Sequence, residues 1–158
     1  MKTTAIYLVL ALSASLVSFS GVFAQETRTI TLSVDIDRLN NGNPSMACSF
    51  DTDSNTQVLD NSSPENFTIL VNEEDTVIWE AFSTSGDEID IESIQFEEVR
   101  GRAGLFSEPK LNGMGNNGKK KAKGTINKRT KGNEYKYAIE FSVDGEFFLI
   151  DPKIKVGA

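Results

Sequence analysis

Tyr135 to Val156 reads YKYAIEFSVDGEFFLIDPKIKV, and its periodicity decides the fold class. Tyr135, Tyr137, Ile139, Phe141 and Val143 alternate with Lys136, Ala138, Glu140 and Ser142, the two-residue repeat of a strand with one buried face. Asp144-Gly145 then supplies a residue pair that readily takes positive φ, so the chain turns tightly and Phe147 to Ile150 starts a return strand. Pro152, which lacks an N–H for a ladder, ends that strand, and Lys153 to Val156 is expected as a final short edge. A hairpin of this kind predicts an antiparallel β-domain.

The same rule extends toward the N-terminus. Arg28 to Asp37 (RTITLSVDID) turns Ile30, Leu32, Val34 and Ile36 inward and reads as a first strand. Leu39 to Glu65 is dominated by Asn, Asp, Ser, Pro and Gly and reads as a long surface excursion with one helical turn. Phe67 to Val71 and Thr76 to Phe82 are strands about a turn at Asn72 to Asp75, and Asp87 to Phe96 is another whose spacing slips as at a bulge. Leu105-Phe106 anchors a loop, Gly113 to Lys123 is an exposed turn, and a short strand follows near Gly124 to Lys128. Seven or eight strands without a convincing helix predict an all-β fold, a two-layer sandwich or Greek-key barrel.

Residues 1–24 have the form of a cleaved signal peptide: Lys2, then the apolar run Ala5 to Val17, then Val22-Phe23-Ala24 before a new N-terminus at Gln25. The expectation is an exported protein, periplasmic or extracellular, with residues 25–158 as a single domain and no membrane span in the mature chain. Sixteen basic residues against 23 acidic leave the 158-residue chain at −7, which argues against a general nucleic-acid binder. The charge is segregated. Asp35 to Glu98 holds sixteen carboxylates and one base, Arg38, whereas Lys110 to Lys136 holds nine bases and one acid, Glu134. Cys48 is the one cysteine, so no intramolecular disulfide forms, and the thiol is expected as a small buried hydrophobe.

Val71-Asn72-Glu73-Glu74-Asp75-Thr76-Val77-Ile78-Trp79 resembles the cupredoxin turn-into-strand pattern, in which an acidic turn precedes a V-x-W strand. Tyr137 to Phe141, Asp144-Gly145 and Asp151 to Val156 resemble the last two strands of that fold. They are similar, too, to small exported bacterial proteins of cupredoxin-like shape that end in a D-P-K-I-x-V strand. The resemblance runs from Phe67 to Val156 and implies a cupredoxin-like Greek-key sandwich. It stops at the copper ligands. A blue-copper centre takes two histidines, a cysteine and an axial methionine, and this chain has no histidine. The cysteine would belong where Ile150-Asp151-Pro152 stands, Cys48 lies elsewhere, and Met114 alone is a poor ligand. No cofactor is expected.

Other patterns carry weaker chemistry. Gly113 to Lys120 nearly spells a phosphate-cradling loop, but Lys120 stands where a magnesium-binding hydroxyl belongs. Asp51, Asp53 and Asn55 occupy the first, third and fifth positions of a calcium loop, yet Thr56 replaces its glycine and Ser62 its glutamate, so a solvated Asx turn is the simpler reading. Glu80, Asp87, Glu88, Asp90, Glu92, Glu97 and Glu98 include enough carboxylates for a glycoside-hydrolase pair, though outward carboxylates usually mark the wet face of a sheet. Lys119, Lys120, Lys121, Lys123, Lys128, Arg129 and Lys131 form the strongest candidate for binding an anion or partner. The aromatics, Phe147 and Phe148 included, read as core.

These features predict an exported, non-catalytic binding or structural module. Its partner would be a protein or polysaccharide of the cell envelope, with charge-steered self-association as a variant in which one molecule's basic loop meets another's acidic flank. Recognition of a carbohydrate or protein through the Lys-rich loop and exposed aromatics is the alternative, and a carboxylate-based hydrolase the second. Because the imidazoles are missing, purified protein titrated with Cu(II) is expected to develop no intense visible charge-transfer band; a strong blue colour on absorption spectroscopy would refute this.

Overall fold

The computed structural model describes residues 24–39, 43–116 and 119–158, so the signal-peptide reading falls almost wholly outside them. Ile30, Leu32 and Val34 are buried along the first strand, β1 (Thr27–Val34), as their alternation predicts. The strand ends before Ile36, which instead opens the single turn α1 (Ile36–Leu39). A second turn, α2 (Pro44–Ala47), is capped by Asn43, whose side chain accepts from the Ser45 N–H. Next come β2 (Cys48–Thr52), β3 (Gln57–Asp60), β4 (Thr68–Val71), β5 (Thr76–Ser83) and β6 (Ile89–Phe96). The chain closes with β7 (Lys110–Asn112), β8 (Ala122–Thr125), β9 (Glu134–Val143), β10 (Glu146–Ile150) and β11 (Lys153–Val156).

These strands form a two-sheet, all-β sandwich. One sheet has the order β2-β1-β5-β8; the other runs β3-β4-β11-β9-β6-β7, with β10 also paired to β9. The Asp144-Gly145 hairpin is as expected, with positive φ of 49° and 85°. The slip in β6 is a register shift between Ile91 and Ser93 against β9. Gly113 sits over that bulge and donates its N–H to the Glu92 carbonyl at 2.7 Å. A Cβ there would stand 1.7 Å from the Ile91 oxygen, so this approach requires glycine.

Four expectations are corrected. The Leu39–Glu65 excursion holds two strands, β2 and β3, because Cys48 and Phe50 alternate with Ser49 and Asp51 strongly enough to pair along β1. Lys153–Val156 is no edge: it lies between β4 and β9, parallel to the first and antiparallel to the second. The β1–β5 pair is parallel too, so the domain is mixed rather than antiparallel. Phe147 points outward and is 65% exposed.

The core lies between the sheets. Trp79 of β5 is fully buried and donates its indole N–H to the Tyr137 hydroxyl of β9 at 3.2 Å across the sandwich. Phe106 packs edge-on against Trp79 and Phe96, and with Leu105 it anchors the β6–β7 connection as the sequence predicts. Cys48 is buried, and desolvation, followed by the nearby Glu65 charge, pushes its thiol up to about 12.

At one end, the buried carboxylate of Asp75 ties the start of β1 to the β4–β5 turn. It accepts from the Glu26 N–H at 3.0 Å, the Asn72 N–H at 2.9 Å and Arg28 Nε at 3.3 Å. Arg28 also donates to the Asn55 carbonyl and pairs with Glu26 at 2.7 Å. Removing the carboxylate leaves two amides unpaired and takes one of three partners from the nearly buried Arg28 guanidinium, so Asp75→Ala should cost about 3 kcal/mol in urea unfolding. Lys128→Ala, which breaks an exposed pair with Glu74, should stay within about 1 kcal/mol of wild type. Equal effects would refute the assignment.

Candidate functional site

The seven basic residues singled out by the sequence do not form one patch. They divide between the two ends of β8, a strand of four residues and roughly 13 Å. Lys119, Lys120, Lys121 and Lys123 lie on its approach and first turn of pleat; Lys128, Arg129 and Lys131 follow it.

In the first group the acidic and basic segments of the sequence meet inside one molecule. Lys120 Nζ lies 2.9 Å from Glu92 and 3.5 Å from Asp90, both on β6. Its backbone N–H donates to Asp90 at 2.8 Å, and its carbonyl accepts from Ile91 at 3.1 Å. Ser142 of β9 donates to Glu92 at 2.7 Å. The Glu92 hydrogen bond, opposed by desolvation and helped by the charges of Glu92 and Asp90, holds the Lys120 ammonium above its ordinary pKa. Lys121 pairs with Glu80 of β5, which also accepts from Thr31. These contacts sew the β5–β8 corner of one sheet to β6 of the other.

The second group is held by the β4–β5 turn. Glu73 accepts from the Thr130 and Lys131 N–H groups at 2.8 Å and 2.9 Å. The backbone N–H of Lys131 is the main reason its carboxyl titrates below the usual range. Lys128 pairs with Glu74 at 3.2 Å. Lys123 is exposed on β8 and joins none of these pairs, and Arg129 is likewise exposed.

The calcium-loop positions have other employment. Asp53 accepts from the Thr29 N–H at 2.6 Å, the Asn55 N–H at 3.0 Å and the Thr56 hydroxyl at 2.8 Å. Burial alone would raise this carboxyl; those hydrogen bonds outweigh it and lower the pKa. The group works as an Asx turn joining β2 to β3 and tying both to β1. Asp51, in β2, is exposed. No cluster of three metal-ligating His, Cys, Asp or Glu side chains occurs among the described residues.

Carboxylate chemistry meets a steric obstacle at β6. The Lys120 ammonium fills the gap between Asp90 and Glu92, where a two-carboxylate mechanism would have to seat a glycosidic oxygen. The open cavity beside them, about 220 Å³, is rimmed by Glu88, Ser142, Asp144 and Phe147. Two further surface grooves frame the basic segment. One of about 360 Å³ is lined by Phe82, Ser83, Gly86 and Lys119 to Lys121. Another of about 370 Å³ runs between β7 and β8 over Phe106, Leu111 and Met114, with Lys121 and Lys123 at its rim. Sequence reasoning missed the exposed apolar side chains near these openings: Phe82 is 55%, Met114 77%, Phe147 65% and Leu149 58% exposed. The signal was partly present, since Phe147 and Leu149 alternate with Phe148 and Ile150, and one of those two sets must face away from the core.

The Asp53 and Glu73 carboxyls are depressed in the folded state, so the stability they add is present above their unfolded pKa, near 4, and lost as pH falls through the folded value. Lys120 is raised, so its contribution is complete below its unfolded pKa near 10.4 and lost only at higher pH. Urea midpoints should therefore be flat from about pH 5 to 9 and drop below about pH 4, with a shallower acid limb in Glu73→Gln. An acid limb identical in that variant would contradict the account.

No family model matches the sequence, and no curated protein resembles it in sequence. The fold has a counterpart among solved structures: the crystal structure of inclusion body protein (PixA) from Burkholderia cenocepacia J2315 superposes with a TM-score of 0.66 at 14% identity, covering 89% of this chain and 100% of that one. At that identity the likeness speaks for the shared fold alone.

Proposed function

We propose that this chain is an exported, non-catalytic structural or binding module of cupredoxin-like shape without a copper site. The observation that carries the reading is the division of labour on its surface. The acids and bases that crowd the β5–β6–β8 corner are bonded to one another across strands, Lys120 with Asp90 and Glu92 and Lys121 with Glu80. The large apolar side chains Phe147, Leu149 and Met114 are left in contact with solvent. Groups locked in cross-strand pairs stabilise a scaffold, whereas uncovered aromatic and aliphatic side chains are the usual anchors of protein contact. Export is supported by the leader-like residues 1–24, and the cupredoxin-like shape by the V-x-W strand whose Trp79 fills the core. That the similar solved structure belongs to an inclusion body protein is in keeping with a structural role.

Recognition of an anionic polysaccharide is the second reading, favoured by one feature: Phe82 lines a groove together with Lys119 to Lys121. Fractionation of expressing cells, with intact mass spectrometry, tests the first reading. The protein is expected outside the cytoplasm, beginning at Gln25, in complexes larger than one chain. A cytoplasmic monomer with residues 1–24 retained would sink it. Retardation on acidic-polysaccharide gels that Phe82→Ala abolishes would move the assignment to the second.

A further inference from the structure

We infer that copies of this chain associate head to tail, the β10 edge of one molecule seating in the β7–β8 groove of the next. The inference rests on the reading of the chain as a contact module and names its partner as a second copy. It begins with the strand itself. Phe147 and Leu149 project from the outer face of β10, opposite Ser142 and Glu140 of β9, and are 65% and 58% exposed. Met46, 71% exposed, lies on α2, which packs beside β10. Asp144 and Glu146 are exposed at the hairpin turn.

β10 pairs with β9 without a register shift, so Phe147 and Leu149 stay on one face. The β3 edge, by contrast, has a register shift between Val58 and Asp60. Since α2 flanks β10, the contact runs through side chains rather than by adding a strand.

The groove between β7 and β8 is complementary in both respects. Phe106, Leu111 and the 77%-exposed Met114 give it apolar lining beside Ser107, Asn112 and Thr125, and its volume of about 370 Å³ suits one or two side chains. Its rim is basic. Lys121 is held by Glu80, which leaves the exposed Lys123 as the cation facing an incoming carboxylate. The Asp144-Glu146 turn beside Phe147 supplies that carboxylate. Opposite charges flanking apolar anchors steer encounter and fix orientation.

Topology makes the contact intermolecular. In the larger sheet β10 lies on one side of β9, while β6 and then β7 lie on the other. Anchor and groove therefore occupy opposite edges, and no molecule fills its own groove. Joining unlike surfaces is heterologous association, which continues into rings or filaments rather than stopping at a dimer. A standard stable interface buries about 800 Å² on each partner, more than two anchors and a methionine provide, so affinity on the order of 10 µM or weaker is expected.

Sedimentation velocity of the purified protein across concentration, at about 50 mM and about 500 mM salt, tests this. Wild type should form a concentration-dependent series of oligomers, weakened severalfold by the higher salt. Phe147→Ser with Leu149→Ser changes solvent-exposed positions and should weaken association by about tenfold or more. Lys123→Glu should weaken it comparably, and adding Glu146→Lys to that chain should restore most of the loss. Mixing the Phe147→Ser/Leu149→Ser protein with the Lys123→Glu protein is diagnostic: one intact anchor and one intact groove survive, so dimers should form and nothing larger. Circular dichroism confirms that the variants are folded. A wild type that stays a single chain up to about 1 mM, variants that associate like wild type, or a mixture that rebuilds long oligomers would each overturn the inference. So would occupation of β10 by a different macromolecule. Such results leave the contact-module reading intact if the exported protein is still recovered in complexes.

Discussion

The buried Asp75 carboxylate is the constraint on which the rest of the sandwich depends. A carboxylate with 1% exposure is tolerated because two backbone amides and the Arg28 guanidinium satisfy it. Those donors come from Glu26 just before β1, Arg28 at the start of β1 and Asn72 in the turn Asp75 belongs to. The result is that Thr27 faces Thr76, and β1 runs parallel to β5 over eight residue pairs. A slip by one residue would send Ile30, Leu32 and Val34 to solvent and strand the carboxylate in the core. Polar satisfaction at one end thus specifies apolar packing along the whole sheet.

From that register the surface chemistry follows. With β5 placed, β8 pairs beside it so that Trp79 faces Ala122, and Lys120 and Lys121 arrive at the carboxylates of β6 and β5. The Glu73-Glu74 turn next to Asp75 pins the segment after β8. The charge segregation so evident in the sequence is therefore met in part within the molecule, through Lys120, Lys121 and Lys128. Sixteen carboxylates in one stretch and nine bases in another look like two surfaces seeking partners; folding brings them together across the gap between the sheets.

The sequence made some of this legible and hid the rest for physical reasons. The hairpin from Tyr135 to Ile150, the β6 bulge, and the burial of Trp79, Phe141 and Leu105 all follow from period, turn residues and size. β2 is faint in the sequence because only Cys48 and Phe50 mark its buried face, and β3 because all four of its residues are exposed. Nothing local in Lys153–Val156 distinguishes an edge from an interior position; that depends on β4, more than eighty residues earlier, coming to lie beside it. The basic cluster was legible as composition, but its division between two ends of β8 and its capture by Glu80, Asp90, Glu92, Glu73 and Glu74 are long-range facts. Phe147 is aromatic, yet alternation along β10 places it on the outer face opposite Ser142.

The interior position of β11 has a consequence for how the molecule is made. Chain growth reaches Lys153–Val156 after every other strand described here, yet these residues bridge β4 to β9, and without them the larger sheet is two unjoined pieces. Parallel pairing between segments so far apart is slow to form. Until Lys153–Val156 is in place, β3–β4 and β9–β6–β7 have no ladder between them, so closure of the larger sheet is one cooperative step that waits on this strand.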